Sequence, residues 1–310
     1  MMENTKTIEN TESFIQVPVI NKTESLFKRD PQNRKLLLKE ISPSIKTLLD
    51  TEDHVATVKT DGTCAIIIRM DSDDSDNNND KYYLMRRQDI KVGCRNFKSV
   101  MNAGKIIWIS GIKCYLSEMI RGNGINQRTV PLYVFQLDEN DKPEIENNHC
   151  IGFTPLLEDF GDDKHAIKAI DGINGDSKMK IWTTVFDNDP CIRVKCIDVT
   201  TIMNKQPLMT VELMGPKISA RYGFEKNDHR HFINPHGSIV FPCQAVPKID
   251  YESIKQWFLN DKDNCWANVE GIVVHFPKSG RRIKVHRGHV DLEKTWYSKT
   301  ESGLKFVFDD

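Results

Sequence analysis

The sequence predicts a fold of the α+β class, and three observations point there. Runs rich in β-formers outnumber helical ones, neighbouring runs are separated by Gly, Asn, Asp and Pro turn signals that suit antiparallel pairing, and no internal repeat divides the chain.

Residues 1–30 are polar and weakly patterned, so a flexible N-terminal arm is expected there, followed by one domain over 31–310. Between Lys35 and Leu49 the apolar residues Leu36, Leu37, Ile41, Ile45, Leu48 and Leu49 recur at roughly helical spacing, which predicts a helix or two capped or kinked at Pro43. From Val55 the pattern turns to strand, with Thr63 to Arg69 and Tyr82 to Arg87 as an antiparallel pair. The block between them, DSDDSDNNND at 71–80, lacks the glycine and terminal glutamate of a calcium loop and is expected to be a solvated, disordered hairpin insertion. Further strands are expected at Lys105 to Ile109, Val130 to Gln136, Met179 to Phe186, Ile192 to Ile197, Leu208 to Met214 and Gly237 to Phe241. Short helices are expected at Val199 to Lys205 and Asp250 to Leu259. The chain then closes on a hairpin of Glu270 to Phe276 and Arg281 to His286, turned by Pro277-Lys278-Ser279-Gly280.

Forty-three basic residues against forty-four acidic ones leave a formal charge of -1, so a nucleic-acid partner would have to be held by a local patch rather than by the whole surface. The N-terminus lacks the basic start and long apolar core of a secretory signal, and no stretch reaches the roughly 18 apolar residues of a membrane span. A soluble protein of the cytoplasm or nucleus, without a membrane partner, is expected. The eight cysteines include no CxxC pair and read as reduced thiols. Histidines 229, 231 and 236 lack a fourth partner at zinc-site spacing and read as loop or RNA contacts.

The chemistry begins at Lys59-Thr60-Asp61-Gly62, which sets a lysine at the lip of a strand before a turn glycine and an apolar hairpin. A lysine attacks phosphorus only when neutral, so its site must disfavour the ammonium by desolvation or by neighbouring cations. Two glutamates, Glu212 in VELMG and Glu270 in EGIVVH, interrupt apolar strands, where a carboxylate is costly to bury unless it meets a ligand or a cation. If the Pro277 to Gly280 turn closes its hairpin, Lys284 lies opposite the Glu270 strand. A cation there could bind an α-phosphate while Glu270 held magnesium.

The ordered set KTDG, VELMG, EGIVVH and RRIKVHR resembles motifs I, III, IV and V of the covalent nucleotidyltransferases, which comprise DNA ligases, RNA ligases and mRNA capping guanylyltransferases. The longer strings LMTVELMG (208–215), NPHGS (234–238), VEGIVVH (269–275) and IKVHRGH (283–289) are similar to the vertebrate-type 5'-to-3' RNA ligase 1 family. The similarity runs from about Lys59 to Trp296 and is thin between about 90 and 200.

The resemblance implies an adenylyltransferase domain, two antiparallel sheets with flanking helices around a nucleotide cleft. Lys59 would take AMP from ATP, pass it to an RNA 5'-phosphate, and let a 3'-hydroxyl displace it to seal the strand, with Mg2+ or Mn2+ as cofactor. Glu212 would contact the ribose, Glu270 the metal and Lys284 the phosphate, and Arg87, with Arg86 as competitor, would be the strand arginine that follows motif I. Asp61, Arg282, His286 and Arg287 are further candidates, because the second cation of motif V is either His286 after Lys284 or Arg282 before it. The stretch that follows Arg287 is too short for an appended OB-fold, so the catalytic domain is expected to grip RNA itself. The basic and aromatic stretch Lys278, Arg281, Arg282, Arg287, His289, Lys294, Trp296, Tyr297 and Lys299 would help. The protein is expected to work as a monomer. A GTP-using capping-type guanylyltransferase and a non-catalytic RNA-end-binding protein are the alternatives.

Overall fold

A computed structural model of the chain describes residues 20, 22–33, 37–70, 80–122, 124–161, 163–185, 191–204, 206–219, 230–260, 264–292 and 304–309. The expected insertion at 71–80, apart from Asp80, lies outside them, and so does most of the expected arm, up to Val19. The fold is mixed α+β, mostly sheet with few helices.

A small sheet runs in the order Glu24–Ser25, Arg281–His286, Gly271–Phe276, Val55–Lys59. Its central hairpin is the one expected, closed by Gly280 at φ +67, a backbone that favours glycine. The large sheet is built around Phe232–Pro235, Leu208–Met214, Thr63–Met70, Lys81–Lys91 and His149–Pro155 as successive neighbours. Most pairings are antiparallel, but Glu24–Ser25 joins Arg281–His286 in parallel, and the large sheet holds two further parallel joints.

Period-2 alternation explains why the large sheet is covered on both faces. Ala65, Ile67, Leu84, Val211 and Leu213 pack toward the short helices Asp163–Ala166 and Val199–Met203. Ile66, Ile68, Met85 and Leu208 face the other way, against Phe153 and Tyr133. Each of these isoleucines is fully buried, which stabilises the fold by about 1.5–3 kcal/mol per side chain. The small sheet packs on the helices Pro43–Thr51 and Tyr251–Leu259 through Ile45, Ile254, Phe258, Ile272 and Val274. Asp250 caps the second of these helices, accepting a hydrogen bond from the Ser253 amide.

Three expectations are corrected. The helix expected over Lys35 to Leu49 is a strand, Leu37–Ile41, followed by the helix Pro43–Thr51, because Ser42 caps the helix with Pro43 in its first turn. Gly237 to Phe241 forms no strand. Hydrogen bonds from Val58 to Ile239 and from Phe241 to Ala56 lay it along the edge of the Lys59 strand, but the turn at Pro235–Ser238 and Pro242 leave room for a single bridge only. The end of the expected arm belongs to the fold: Leu26 and Phe27 are each 1% exposed, and Phe27 meets the Tyr251 ring edge-on at 5.5 Å.

Candidate active site

Lys59 ends its strand directly opposite Gly271, so the residue before that glycine, Glu270, comes level with it. Glu270 Oε2 accepts a hydrogen bond from Lys59 Nζ at 2.5 Å, and the two side chains are only 18% and 24% exposed. Burial pushes the Glu270 carboxyl up, against the opposing pull of Lys59, and Asp61 adds further negative charge nearby.

The glycines of both motifs permit close approach rather than a turn. A Cβ on Gly62 would lie 2.2 Å from the Leu213 carbonyl oxygen and 2.8 Å from Glu212 Cγ, and one on Gly271 would lie 2.3 Å from the Val285 carbonyl oxygen. Without a side chain at 62, the Lys59 loop packs down on the Glu212 strand.

Glu212 pairs with Cys64 on one side and Asn234 on the other, and Arg87 lies one position beyond the Ala65–Arg86 pair. Arg87, Cys64, Glu212 and Asn234 therefore form a row across four strands of the large sheet. On the small sheet Lys284 stands opposite Val273, which stands opposite Thr57, while Arg282 is opposite His275. Both rows line one cavity of about 230 Å³, with Lys59 and Thr60 at the join.

The choice between the two arginines follows from the pleat. Arg87 shares its face with Met85, reaches the cavity and donates to Asp89 Oδ1 at 2.9 Å. Arg86 points to the helix-covered face, 3.5 Å from the buried Asp163, which a bidentate pair from Arg121 also holds at 2.8 and 3.0 Å.

Both registers of the last motif share one face, since Arg282, Lys284 and His286 alternate along one strand. Arg282 and Lys284 line the cavity; His286, next along that face, does not, and its ring centroid is 3.6 Å from that of His289. Burial, then the Lys59 charge, pushes Lys284 below the usual lysine range, and burial lowers Arg282 as well. Arg287 does not join them: it is 3% exposed and donates to the Val269 and Ala267 carbonyls at 3.0 and 2.6 Å. His289 is buried too and Arg281 pairs with Glu24 at 2.7 Å, so the described part of the expected basic RNA face does not form one surface. Lys294, Trp296, Tyr297, Lys299 and His229 lie outside the described residues.

Four groups at the site were not assigned to it by the sequence. His236 Nε2 sits 3.0 Å from Glu212 Oε2. His231, by contrast, packs on His165, with ring centroids 5.6 Å apart. Asn234 donates to Thr60 Oγ1 at 3.3 Å and accepts from Thr184 and Ser238, which fixes the residue after the lysine. His275 Nε2 lies 2.8 Å from Thr57 Oγ1. Lys22, from the expected arm, also lines the cavity and pairs with Asp89 at 3.7 Å. Asn234, His236 and His275 each stand inside a motif string, which was the available signal; for Lys22 there was none.

Among the described residues, no group of three or more His, Cys, Asp or Glu could hold a metal ion. Magnesium and manganese need less from the protein, taking one or two carboxylates and completing their shells with phosphate and water, and the hard oxygens of Glu270 fit that pattern.

The sequence model of the RNA ligase 1 family matches residues 130–302, which contain Glu212, Glu270, Arg282, Lys284 and His286. The chain belongs to the RNA ligase 1 family. It is 25% identical to RNA ligase 1 of Mus musculus over 278 residues, covering 87% of this chain and 77% of that protein. To RNA ligase 1 of Rattus norvegicus it is 25% identical over 282 residues, covering 87% and 78%. Lys59 and Arg87 lie ahead of the stretch matched by the family model, and the fold brings them to the RNA ligase 1 residues that lie within it.

Proposed function

We propose that this protein is an ATP-dependent ligase that joins RNA 5'-phosphate and 3'-hydroxyl ends through an AMP-lysine intermediate on Lys59. The observation that carries the reading is the contact of Lys59 with Glu270 at a cavity shared with Arg87, Glu212, Arg282 and Lys284. ATP fits a site whose cations face its phosphates and whose Glu212 can accept hydrogen bonds from the ribose hydroxyls.

Attack requires the lysine lone pair. Glu270, raised by burial, receives the Lys59 proton across their hydrogen bond and frees that pair. Nζ then forms a bond to the α-phosphorus as the bond to the bridging oxygen breaks, and pyrophosphate leaves with its electrons. Next, an oxygen of the RNA 5'-phosphate bonds to that phosphorus while the P–N bond breaks and Nζ regains a proton. Finally the 3'-hydroxyl oxygen attacks the RNA phosphorus, loses its proton and expels AMP. Lys284 and Arg87 hold the phosphate oxygens in place throughout. A magnesium or manganese ion held by Glu270 would supply charge neutralisation at the phosphates. The same reading takes the protein as a soluble monomer, with the catalytic domain itself gripping RNA.

A sealing assay tests it. With ATP and magnesium, an RNA carrying a 5'-phosphate and a 3'-hydroxyl should be joined, and one carrying a 5'-hydroxyl and a 3'-phosphate should stay open. Joining only the second RNA would overturn the reading, and nucleotide transfer from GTP alone would point to capping chemistry instead.

A further inference from the structure

Glu212 reaches the cavity from the middle of a strand, and its neighbours in the row across the large sheet are occupied elsewhere. Arg87 donates to Asp89, while Asn234 donates to Thr60 and accepts from Thr184 and Ser238. Among the described residues, His236 is the one side chain that hydrogen-bonds the Glu212 carboxylate, with Nε2 3.0 Å from Oε2 and the two side chains 21% and 14% exposed. A carboxylate accepts, so Nε2 carries the hydrogen. Nδ1 is buried and has no hydrogen-bond partner among the described residues, which makes the contact with Glu212 the ring's one hydrogen bond.

The ring is fixed by the strand it serves. The His236 amide donates at 3.1 Å to the carbonyl of Thr210, two residues before Glu212, and Asn234 stands directly opposite Glu212. Ser238 closes the turn, its amide donating to the Pro235 carbonyl and its hydroxyl to Asn234 at 2.9 Å, around Gly237 at φ +85. A glutamate side chain left alone would lose several rotamers each time it met a ligand. Held at Oε2 by an anchored ring, Glu212 is already ordered and keeps Oε1 for the ligand.

Both side chains line the cavity that Lys59 enters. Resting on the ligase reading above, in which Glu212 accepts from the ribose, we propose that His236 is a positioning residue: it holds the Glu212 carboxylate with Oε1 toward a ribose hydroxyl, and so sets the preference of the Lys59 step for ribonucleotides over deoxynucleotides. It acts through the ribose and not through the phosphates, so its loss weakens nucleotide binding and leaves bond making at Lys59 unchanged.

The test is single-turnover labelling of the full chain with magnesium and α-labelled ATP, 2'-deoxy-ATP or 3'-deoxy-ATP, reading the half-saturating concentration and the limiting rate for each. Wild-type protein should need about tenfold more of one deoxynucleotide than of ATP, the loss expected for one hydrogen bond to a charged group. His236→Ala should raise the half-saturating ATP concentration by about tenfold, while the limiting rate and the value for that deoxynucleotide stay within about twofold of wild type. His236→Gln, whose amide nitrogen can donate from about the Nε2 position, should recover most of the ATP affinity.

Wild-type protein that takes ATP and both deoxynucleotides equally well overturns the proposal, whatever the variants do. A rise in His236→Ala that is the same for all three nucleotides, or that His236→Gln does not recover, overturns it in favour of a structural role. An unchanged ATP value in His236→Ala overturns it and leaves the ligase reading standing, whereas wild-type protein that takes no nucleotide overturns that reading and this inference with it.

Discussion

Lys59 and Glu270, far apart in the chain, meet at 2.5 Å because the strand carrying one ends opposite the glycine that follows the other. The hydrogen bond serves chemistry if Glu270 takes the lysine proton. Glu270→Gln should then slow AMP transfer to Lys59 by about a hundredfold, in the range of general base catalysis. A single-turnover labelling time course measures it, and an unchanged rate would leave the contact without a catalytic role.

Gly62→Ala forces a methyl group against the Leu213 carbonyl and Glu212 Cγ. Neither can retreat without moving the Glu212 strand away from Lys59, so a loss of about 1–3 kcal/mol in stability is expected, with labelling falling further than stability explains. Thermal melts and labelling of the still-folded fraction separate the two effects. Wild-type behaviour in both would refute the close-packing account.

The neighbouring arginines should part company. Arg87→Ala leaves the core intact and should slow labelling by about tenfold or more. Arg86→Ala removes one partner of the buried Asp163 and should lower the melting temperature while labelling persists. The reverse pattern would mean that the pleat has been misread.

Acid should destabilise the fold through its histidines. Burial pushes His275 and His286 down to about 4 and His289 to about 2, from an ordinary value of 6.5. Between about pH 6.5 and 4 the unfolded chain therefore binds more protons than the native one. Their contribution is complete above 6.5 and is lost as pH falls, toward 4 for His275 and His286 and toward 2 for His289. Glu270, shifted upward, works in the opposite direction, but it is one group against three. Melting temperatures at pH 7, 5.5 and 4.5 should fall progressively, and less steeply in His275→Gln; parallel curves would contradict the assignment.

Much of the site was legible because its residues stand in strands, where alternation fixes which side chains share a face. VELMG puts Glu212 and RRIKVHR puts Lys284 within strands, and the expected hairpin turn set the Lys284 strand opposite the one that follows Glu270, where Lys284 pairs with Val273. Alternation alone could not choose between Arg86 and Arg87, since the deciding partner, Asp163, lies much further along the chain in a short helix. The Arg121–Asp163 pair stayed hidden for the same reason, and so did Ile112–Arg121 and His149–Pro155, strands of mixed composition in the stretch where the resemblance is thin. The end of the arm was misjudged because its polar composition outweighs Leu26 and Phe27, which pack in one cluster with Tyr251, far along the sequence.

The central claim is that Lys59 itself carries the nucleotide. Protein incubated with magnesium and α-labelled ATP, denatured and digested, should yield a single labelled peptide containing Lys59, with AMP held through a P–N bond that acid cleaves and alkali spares. Lys59→Ala should take no label. Label on another residue, label from GTP alone, or no label on wild-type protein would contradict the account.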